Sequence, residues 1–478
     1  MNVAITRLFV LFVVLFGLLV AFTSRWTVFE ADSLRENTAN RRQLLEDQQI
    51  PRGIITARDG KKLAVNDRIG RDESVRYVRE YPDGPLFGHA VGYSFVTQDQ
   101  AGLEKFYNDQ LIGEQNEFAS LIDAIVGADQ EGENLRTTLD PAGQRSAFQA
   151  LAGRKGAIVV MEPATGRVPV MASVPKYDPN RIPEDFAKLN RETDSPLLNR
   201  VTQAGYPPGS TMKVVTAVAA IDSGEFEKTS VLNGKSPQTF SGTPLNNFGN
   251  SQFGPIDLTE ALTNSVNTVW GRVGERVGKE TMYEYMDRFG FNADPPMDYP
   301  RSQMRPSGVY NPRTGNLLDE DDPIDVARVA IGQERLNVTP LQMAMVASAV
   351  ANDGVLMEPR LVERITRPDG RLAERIKPTR DERVMKSSTS RDVTEMMTRV
   401  VDEGSGTAAA LEGIKVAGKT GTAERGDSNQ AWFIAFAPVA KPKYAIAVTI
   451  ERTQGTGGEE AAPLAKQVLT TLLGRGGG

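Results

Sequence analysis

Seventeen consecutive uncharged residues, Leu8 to Ser24, stand between Arg7 and Arg25, and most are Leu, Val, Phe or Ala. At about 1.5 Å rise per residue, a helix of this length is at the short limit for crossing a bilayer. The run starts so near the N-terminus, with a positive flank, that a buried core helix is a poor reading of it. A cleaved signal peptide is the other reading, but Phe22, Thr23 and Ser24 offer no small-x-small cleavage site. The run is therefore read as an uncleaved membrane anchor over residues 8–24, with residues 1–7 as a cytoplasmic tail. Arg7 and the terminal amine favour an inside N-terminus. Everything after Arg25 then folds outside the cytoplasm.

The remaining chain is long enough for more than one domain. It has 478 residues in all, of which 40% are hydrophobic and 24% charged. The formal net charge of −6 argues against a nucleic-acid partner, which would call for a basic face. There is no cysteine, and His89 is the only histidine. This removes thiol nucleophiles, disulfides, thiolate zinc sites and two-histidine zinc sites. A Ser-His-Asp triad could form only at His89, which lies in a glycine- and tyrosine-rich stretch and reads as structural. Group-transfer chemistry must then rest on Ser, Thr, Lys, Tyr, Asp or Glu.

Residues 25 to about 50 are polar and helix-prone and read as a stalk. From Arg52 the pattern turns to short strands, with Asp59-Gly60 as a hairpin signal. The apolar run Ala157 to Val160, the Thr165-Gly166 turn and Val168 to Ala172 predict a buried hairpin that opens a second domain. Asp257-Leu258-Thr259-Glu260 predicts a capped helix from Leu258 to about Val273, and Thr339-Pro340-Leu341-Gln342 predicts another to Ala351. Ala431 to Phe436 and Tyr444 to Ile450 are strand-like, and Pro463 to Leu473 reads as a terminal helix. The chain thus divides into the anchor, a β-containing module over 25–155, a second domain over 156–473 and a flexible tail over 474–478. The fold class is α+β. Asp319-Glu320-Asp321-Asp322 reads as a solvated loop rather than a metal site.

Two serines precede a lysine by three residues: Ser173 with Lys176, and Ser210 with Lys213. In the first pair Pro175 disfavours helix, so the two side chains would not share a face. Ser210 follows the rigid entry Tyr206-Pro207-Pro208-Gly209 and leads into a helical pattern through Val214 to Ile221. On a helix, residues three apart are neighbours, which brings a hydroxyl beside an amine. An N-cap serine followed by a surface lysine gives the same pattern, and the spacing alone leaves both readings open. Ser265-Val266-Asn267 crowds a hydroxyl and an amide where the flanking sequence is helical, as a helix junction or a pair of caps would. In Gly418-Lys419-Thr420-Gly421-Thr422, Thr420 and Thr422 would share one strand face, and Gly421 would let a ligand backbone approach, though a hairpin turn gives the same pattern. Trp432 reads as a packing residue of the next strand.

In this order the three pieces resemble the Ser-x-x-Lys, Ser-x-Asn and Lys-Thr-Gly set of penicillin-recognising serine enzymes. The resemblance runs from about Arg52 to Leu473. Arg52-Gly53, Asp59-Gly60, Leu63-Ala64 and Gly102-Leu103-Glu104 with Tyr107 look like the N-terminal signature of class B penicillin-binding proteins. Glu162-Pro163-Ala164-Thr165-Gly166, Tyr177-Asp178-Pro179-Asn180, Gly406-Thr407 and Val416 to Ala423 match their transpeptidase domain. Within that family the chain resembles the shorter penicillin-binding protein A type of actinobacteria. One departure is Glu334, where the family often has a glycine after Gly332-Gln333.

The resemblance implies a membrane-anchored D,D-transpeptidase with an elongated pedestal or dimerisation-type module and a transpeptidase domain made of an antiparallel sheet flanked by helices plus an all-helical part. Ser210 would be the nucleophile and Lys213 its base. Ser265 would relay a proton, Asn267 would fix the substrate amide and Lys213, and Lys419, Thr420, Gly421 and Thr422 would hold the substrate. Lys419 is expected to stay charged. An oxyanion hole from the N–H groups of Ser210 and Thr422 is implied. So are peptidoglycan stem peptides and β-lactams as ligands, and a membrane glycosyltransferase of the shape, elongation, division and sporulation family as partner. No cofactor or metal is implied. The same motifs would serve a D,D-carboxypeptidase or β-lactamase, and the same fold a non-catalytic β-lactam sensor or scaffold. Removal of residues 1–25 should give a soluble protein that still binds penicillin, checked by membrane fractionation and a labelled-penicillin gel.

Overall fold

The computed structural model describes residues 3–25, 48–71, 75–113 and 131–474. The expected stalk and tail therefore fall largely outside the described residues. Val3–Ser24 forms one helix. Its stretch Ile5–Ser24 has a mean hydropathy of 2.6 and is the one helix among the described residues long and apolar enough to cross a membrane.

The second half of the chain is built on a five-stranded antiparallel sheet. Ala417–Arg425, Ser428–Ala437, Tyr444–Thr453, Gly156–Met161 and Val170–Val174 lie side by side in that order. Side chains alternate between the two faces of a strand. Ala157, Val159, Ile434 and Phe436 enter one core with the helices Lys213–Asp222 and Pro340–Ala351. Ile158, Val160, Phe433 and Ala435 enter another with Pro141–Leu151 and Ala462–Gly474. Because both faces are covered, these strands read in sequence as unbroken apolar runs rather than as an alternation. An antiparallel sheet flanked by helices, plus a helical region over Leu258–Arg288, is the expected α+β architecture.

Local signals set the helix starts. The Thr339 hydroxyl accepts from the Gln342 N–H at 3.1 Å, opening Pro340–Ala351. The Asp257 carboxylate accepts from the Glu260 N–H at 2.7 Å, opening Leu258–Thr263. The helix expected to run on to Val273 instead stops there and restarts as Asn267–Val277. Ser265, with φ at +58°, makes the break. Ser173 lies buried in its strand, accepting from the Arg200 N–H at 3.0 Å, so it shares no helix face with Lys176.

The N-terminal module is a sheet of six strands, in the order Leu372–Arg375, Val362–Thr366, Asn134–Thr137, Ile55–Thr56, Lys62–Ile69, Arg76–Glu80. Two of them come from beyond residue 156, while the helix Pro141–Leu151 belongs to the core of the other half. His89 is buried where the halves meet, 2.9 Å from the Pro196 carbonyl, and burial lowers its pKa to about 4. Asp319, Glu320 and Asp321 are exposed.

The N-terminal signature residues meet in space. Glu104, with no solvent exposure, accepts from Arg52 at 3.0 Å and from Arg79 at 2.5 Å. Burial pushes the Glu104 pKa up, but Arg79 and Arg52 more than offset this and hold the carboxyl below its usual range. Removing one member of such a buried cluster strands the others as uncompensated charges. Glu104→Ala should therefore cost about 3–5 kcal/mol, read as a lowered midpoint in urea unfolding.

Candidate active site

The turn that carries Ser210 is fixed backbone against backbone. Gly209–Met212 forms one 3-10 turn that continues as the helix Lys213–Asp222. Gly209 sits at φ +53°, where a Cβ would come within 2.8 Å of the Thr422 carbonyl oxygen. Its N–H donates to the Gly332 carbonyl at 2.9 Å. Trp432 is buried and donates its indole N–H to the Pro207 carbonyl at 3.0 Å. A Cβ on Gly421 would meet the Pro208 carbonyl oxygen at 2.7 Å and the Thr211 methyl at 2.9 Å. Gly421 thus makes room for the turn that bears Ser210, not for a ligand as its place in the motif suggested.

Two lysines, Lys213 and Lys419, have no solvent exposure. Lys213 Nζ donates to the Ser265 carbonyl at 2.8 Å, to Asn267 Oδ1 at 2.7 Å and to Ser265 Oγ at 3.2 Å. Lys419 Nζ donates to the same Ser265 Oγ at 3.0 Å and to the Thr420 carbonyl at 3.1 Å. One hydroxyl therefore bridges two amines. The left-handed backbone at Ser265 turns both its carbonyl and its hydroxyl toward them, a strain of about 1–3 kcal/mol that the lysine contacts hold in place. Asn267 is oriented from its other end, where Nδ2 donates to the Asn246 carbonyl at 2.9 Å.

Burial pulls the Lys213 ammonium well below the usual lysine range, and the like charge of Lys419 adds to the effect. Burial brings Lys419 down to about 7. Both effects favour the neutral amine of Lys213, the form able to accept a proton. Lys419 titrates near neutrality in the free protein, and this corrects the expectation that it simply stays charged. A carboxylate placed against it would restore the charge.

Ser210, Ser265, Asn267, Thr420 and Thr422 line one cleft of about 700 Å³, and the buried Lys213 and Lys419 are tied to it through their hydrogen bonds to Ser265. All the expected polar site residues therefore converge. Other residues in the cleft went unrecognised. Ser405 shares a hydrogen bond of 2.6 Å with Thr420 Oγ1, and Glu424 continues the face of Thr420 and Thr422. The Asn246–Asn250 segment forms part of the wall. Ser405 sits in Gly404-Ser405-Gly406, beside the Gly406-Thr407 signature, but nothing local ties it to a strand residue at 420. Glu334 adopts φ +65°, so the loop keeps the left-handed turn that glycine takes freely, at a cost of about 1–2 kcal/mol.

Fold and cleft together fall in the class of penicillin-recognising serine enzymes. Residues 156–470 match the penicillin binding protein transpeptidase domain, and residues 52–135 match the penicillin binding protein A dimerisation domain. The chain is 33% identical to the peptidoglycan D,D-transpeptidase PbpA of Mycolicibacterium smegmatis, covering 100% of both chains. Among solved structures, the ceftriaxone acyl-enzyme complex of penicillin-binding protein A from M. tuberculosis superposes with a TM-score of 0.80 at 30% identity, covering 90% of this chain and 100% of that one. A D,D-transpeptidase domain from Eggerthella lenta gives 0.79 at 33%, covering 90% and 99%. The chain belongs to the penicillin-binding protein transpeptidase family.

The buried lysines make stability depend on pH. Unfolded, Lys419 titrates near 10.5, and folded near 7, so between these values the unfolded chain binds more protons. Stability therefore rises with pH across that window. Lys419→Met should flatten the rise by up to about 1.4 kcal/mol per pH unit, measured by urea unfolding of both proteins across the same window.

Proposed function

We propose that this chain cross-links peptidoglycan stem peptides through a Ser210 acyl-enzyme and is itself a target of β-lactams. The observation that carries the reading is Lys213: a fully buried amine, held by Ser265 and Asn267, three residues after a serine that lines the cleft. Ser210 Oγ attacks the carbonyl of the penultimate D-alanine, and its proton passes to Lys213. The bond to the terminal D-alanine breaks, and that amine leaves with a proton relayed through Ser265. An acceptor amine on a neighbouring strand then attacks the ester, gives up a proton, and restores Ser210. Splitting the transfer at a covalent ester is ordinary nucleophilic catalysis. The N–H groups of Ser210 and Thr422 stabilise the oxyanion, and Lys419, Thr420 and Thr422 hold the terminal carboxylate. Asn267 fixes the substrate amide as well as Lys213. The β-lactam acyl-enzyme complexes of the M. tuberculosis relative support the second half of the reading.

The setting follows from the same reading. The N-terminal helix anchors the chain in a single pass with Arg7 inside and the cleft outside. Residues 25–155 serve as the pedestal, and residues 156–473 as the transpeptidase domain. The pedestal docks a membrane glycosyltransferase of the shape, elongation, division and sporulation family.

Purified protein incubated with donor and acceptor stem peptides should yield cross-linked dimers in excess of hydrolysed monomers; hydrolysis alone would assign a carboxypeptidase, and no turnover a sensor. Labelled penicillin should form one adduct, mapped to Ser210 and absent in Ser210→Ala. Lys213→Arg keeps a charge but supplies no base, so acylation should fall by about two to four orders of magnitude. Lys419→Arg should keep part of the acylation rate. Near wild-type acylation of Lys213→Arg beside a dead Lys419→Arg would reverse the two roles.

A further inference from the structure

The outer face of the N-terminal sheet carries a row of like charges. Arg375 stands opposite Arg364 across one strand pair, and Arg364 stands opposite Arg136 across the next. Cross-strand partners share a face, so the three side chains rise next to one another with their Cβ atoms about 5 Å apart. Leu135 and Ile365, the chain neighbours of Arg136 and Arg364, point the other way, into the core. Like charges set opposite one another destabilise a sheet. Little on this face offsets them. The register shifts between Val362 and Arg364, and the Glu363 carboxylate reaches Arg136 at 3.7 Å and Arg167 at 3.3 Å. Glu374 lies opposite Ile365 and so belongs to the other face. Among the described residues no carboxylate pairs with Arg364 or Arg375.

The donors of these side chains are unmatched as well. The Nε atoms of Arg136, Arg167 and Arg364 find no hydrogen-bond acceptor among the described residues. Nε is one tine of the fork with which a guanidinium grips an oxyanion. The Arg136 and Arg167 side chains keep 33% and 34% of their surface in solvent, and Arg375 is exposed, so an anion has access from outside. One arginine fork fills the two oxygens of a carboxylate. A phosphate carries up to two charges and three acceptor oxygens, enough for two neighbouring forks at once. We propose that Arg136, Arg364 and Arg375 form a binding site for a phosphate-bearing anion on the N-terminal module. The site lies outside the cleft, and nothing in it depends on the chemistry of Ser210. Its source is either a soluble phosphate compound or the headgroup of an anionic phospholipid in the membrane that holds the N-terminal helix.

The test follows the thermal unfolding midpoint of the full chain in neutral detergent. One arm titrates inorganic pyrophosphate, with sodium chloride holding the ionic strength constant. The other dopes the micelles with phosphatidylglycerol or, as a control, phosphatidylcholine. The wild-type midpoint should rise and saturate with pyrophosphate, with phosphatidylglycerol, or with both, and the arm that responds identifies the source. Arg364→Gln should weaken the apparent Kd about tenfold or more, the range for losing charge-assisted hydrogen bonds. Arg364→Lys keeps the charge without the fork and should also weaken it. Arg391→Gln removes the same charge from an exposed position on the helix Ser387–Asp402 and should leave the rise intact. Without ligand, Arg364→Gln should unfold at or above the wild-type midpoint, because it relieves the like-charge row; this separates a lost site from a damaged fold. Exposed Arg375→Gln gives a second variant of the same row. No rise in either arm, or a rise that the Arg364→Gln, Arg375→Gln double variant keeps, would overturn the assignment. So would a rise that Arg391→Gln loses to the same extent, which would leave only net charge.

Discussion

Two lysine side chains bridged by one hydroxyl, Lys213 to Ser265 to Lys419, are the contact around which the domain is organised. Placing two lysines out of water is costly unless each is hydrogen-bonded or gives up its proton. Both remedies are visible. Three acceptors surround Lys213, and burial lowers the proton affinity of both amines. The broken helix at Ser265, the clamped Asn267 and the placing of Lys419 on an edge strand all serve the same end. An uninterrupted helix through residue 265 would keep its backbone carbonyls in the helix ladder, and Lys213 would lose the Ser265 carbonyl as a partner.

The second constraint is steric. The Ser210 turn and the strand Ala417–Arg425 come together with no side chains between them at Gly209 and Gly421. This close approach puts Ser210 next to Thr422 in the cleft. It also brings Lys419 within reach of Ser265. A side chain at either glycine would push the turn and the strand apart and pull the hydroxyl bridge with them. Trp432, bound to the Pro207 carbonyl, holds the turn from the neighbouring strand.

Much of this was legible in the chain. Ser210, Lys213, Ser265, Asn267, Lys419, Thr420 and Thr422 were readable because short motifs carry their own local structure: a rigid entry to a helix, a polar break within a helical pattern, a strand after an apolar lead. The caps at Asp257 and Thr339 were readable for the same reason. What was not legible is non-local. Ser405 meets Thr420 only through the packing of the helix Ser387–Asp402 on the sheet. Glu424 resembles any surface carboxylate until the cleft is built around its strand. The protonation of Lys419 depends on burial, which no spacing rule reports. Gly421 was recognised for the right strand and assigned the wrong neighbour, because a missing side chain says that something approaches without saying what.

The sheet shared by the two halves has a consequence of its own. Val362–Thr366 pairs with Asn134–Thr137 on one side and with Leu372–Arg375 on the other. It follows in the chain soon after the helix Pro340–Ala351, which packs under the sheet that carries Lys419. No single cut of the backbone separates the halves: a chain begun at residue 156 would keep Val362–Thr366 but lose the strand that covers it, leaving a row of open N–H and C=O groups. The two halves are therefore coupled in folding through the shared sheet. A pull on the N-terminal module is then borne along a hydrogen-bonded ladder rather than through a linker.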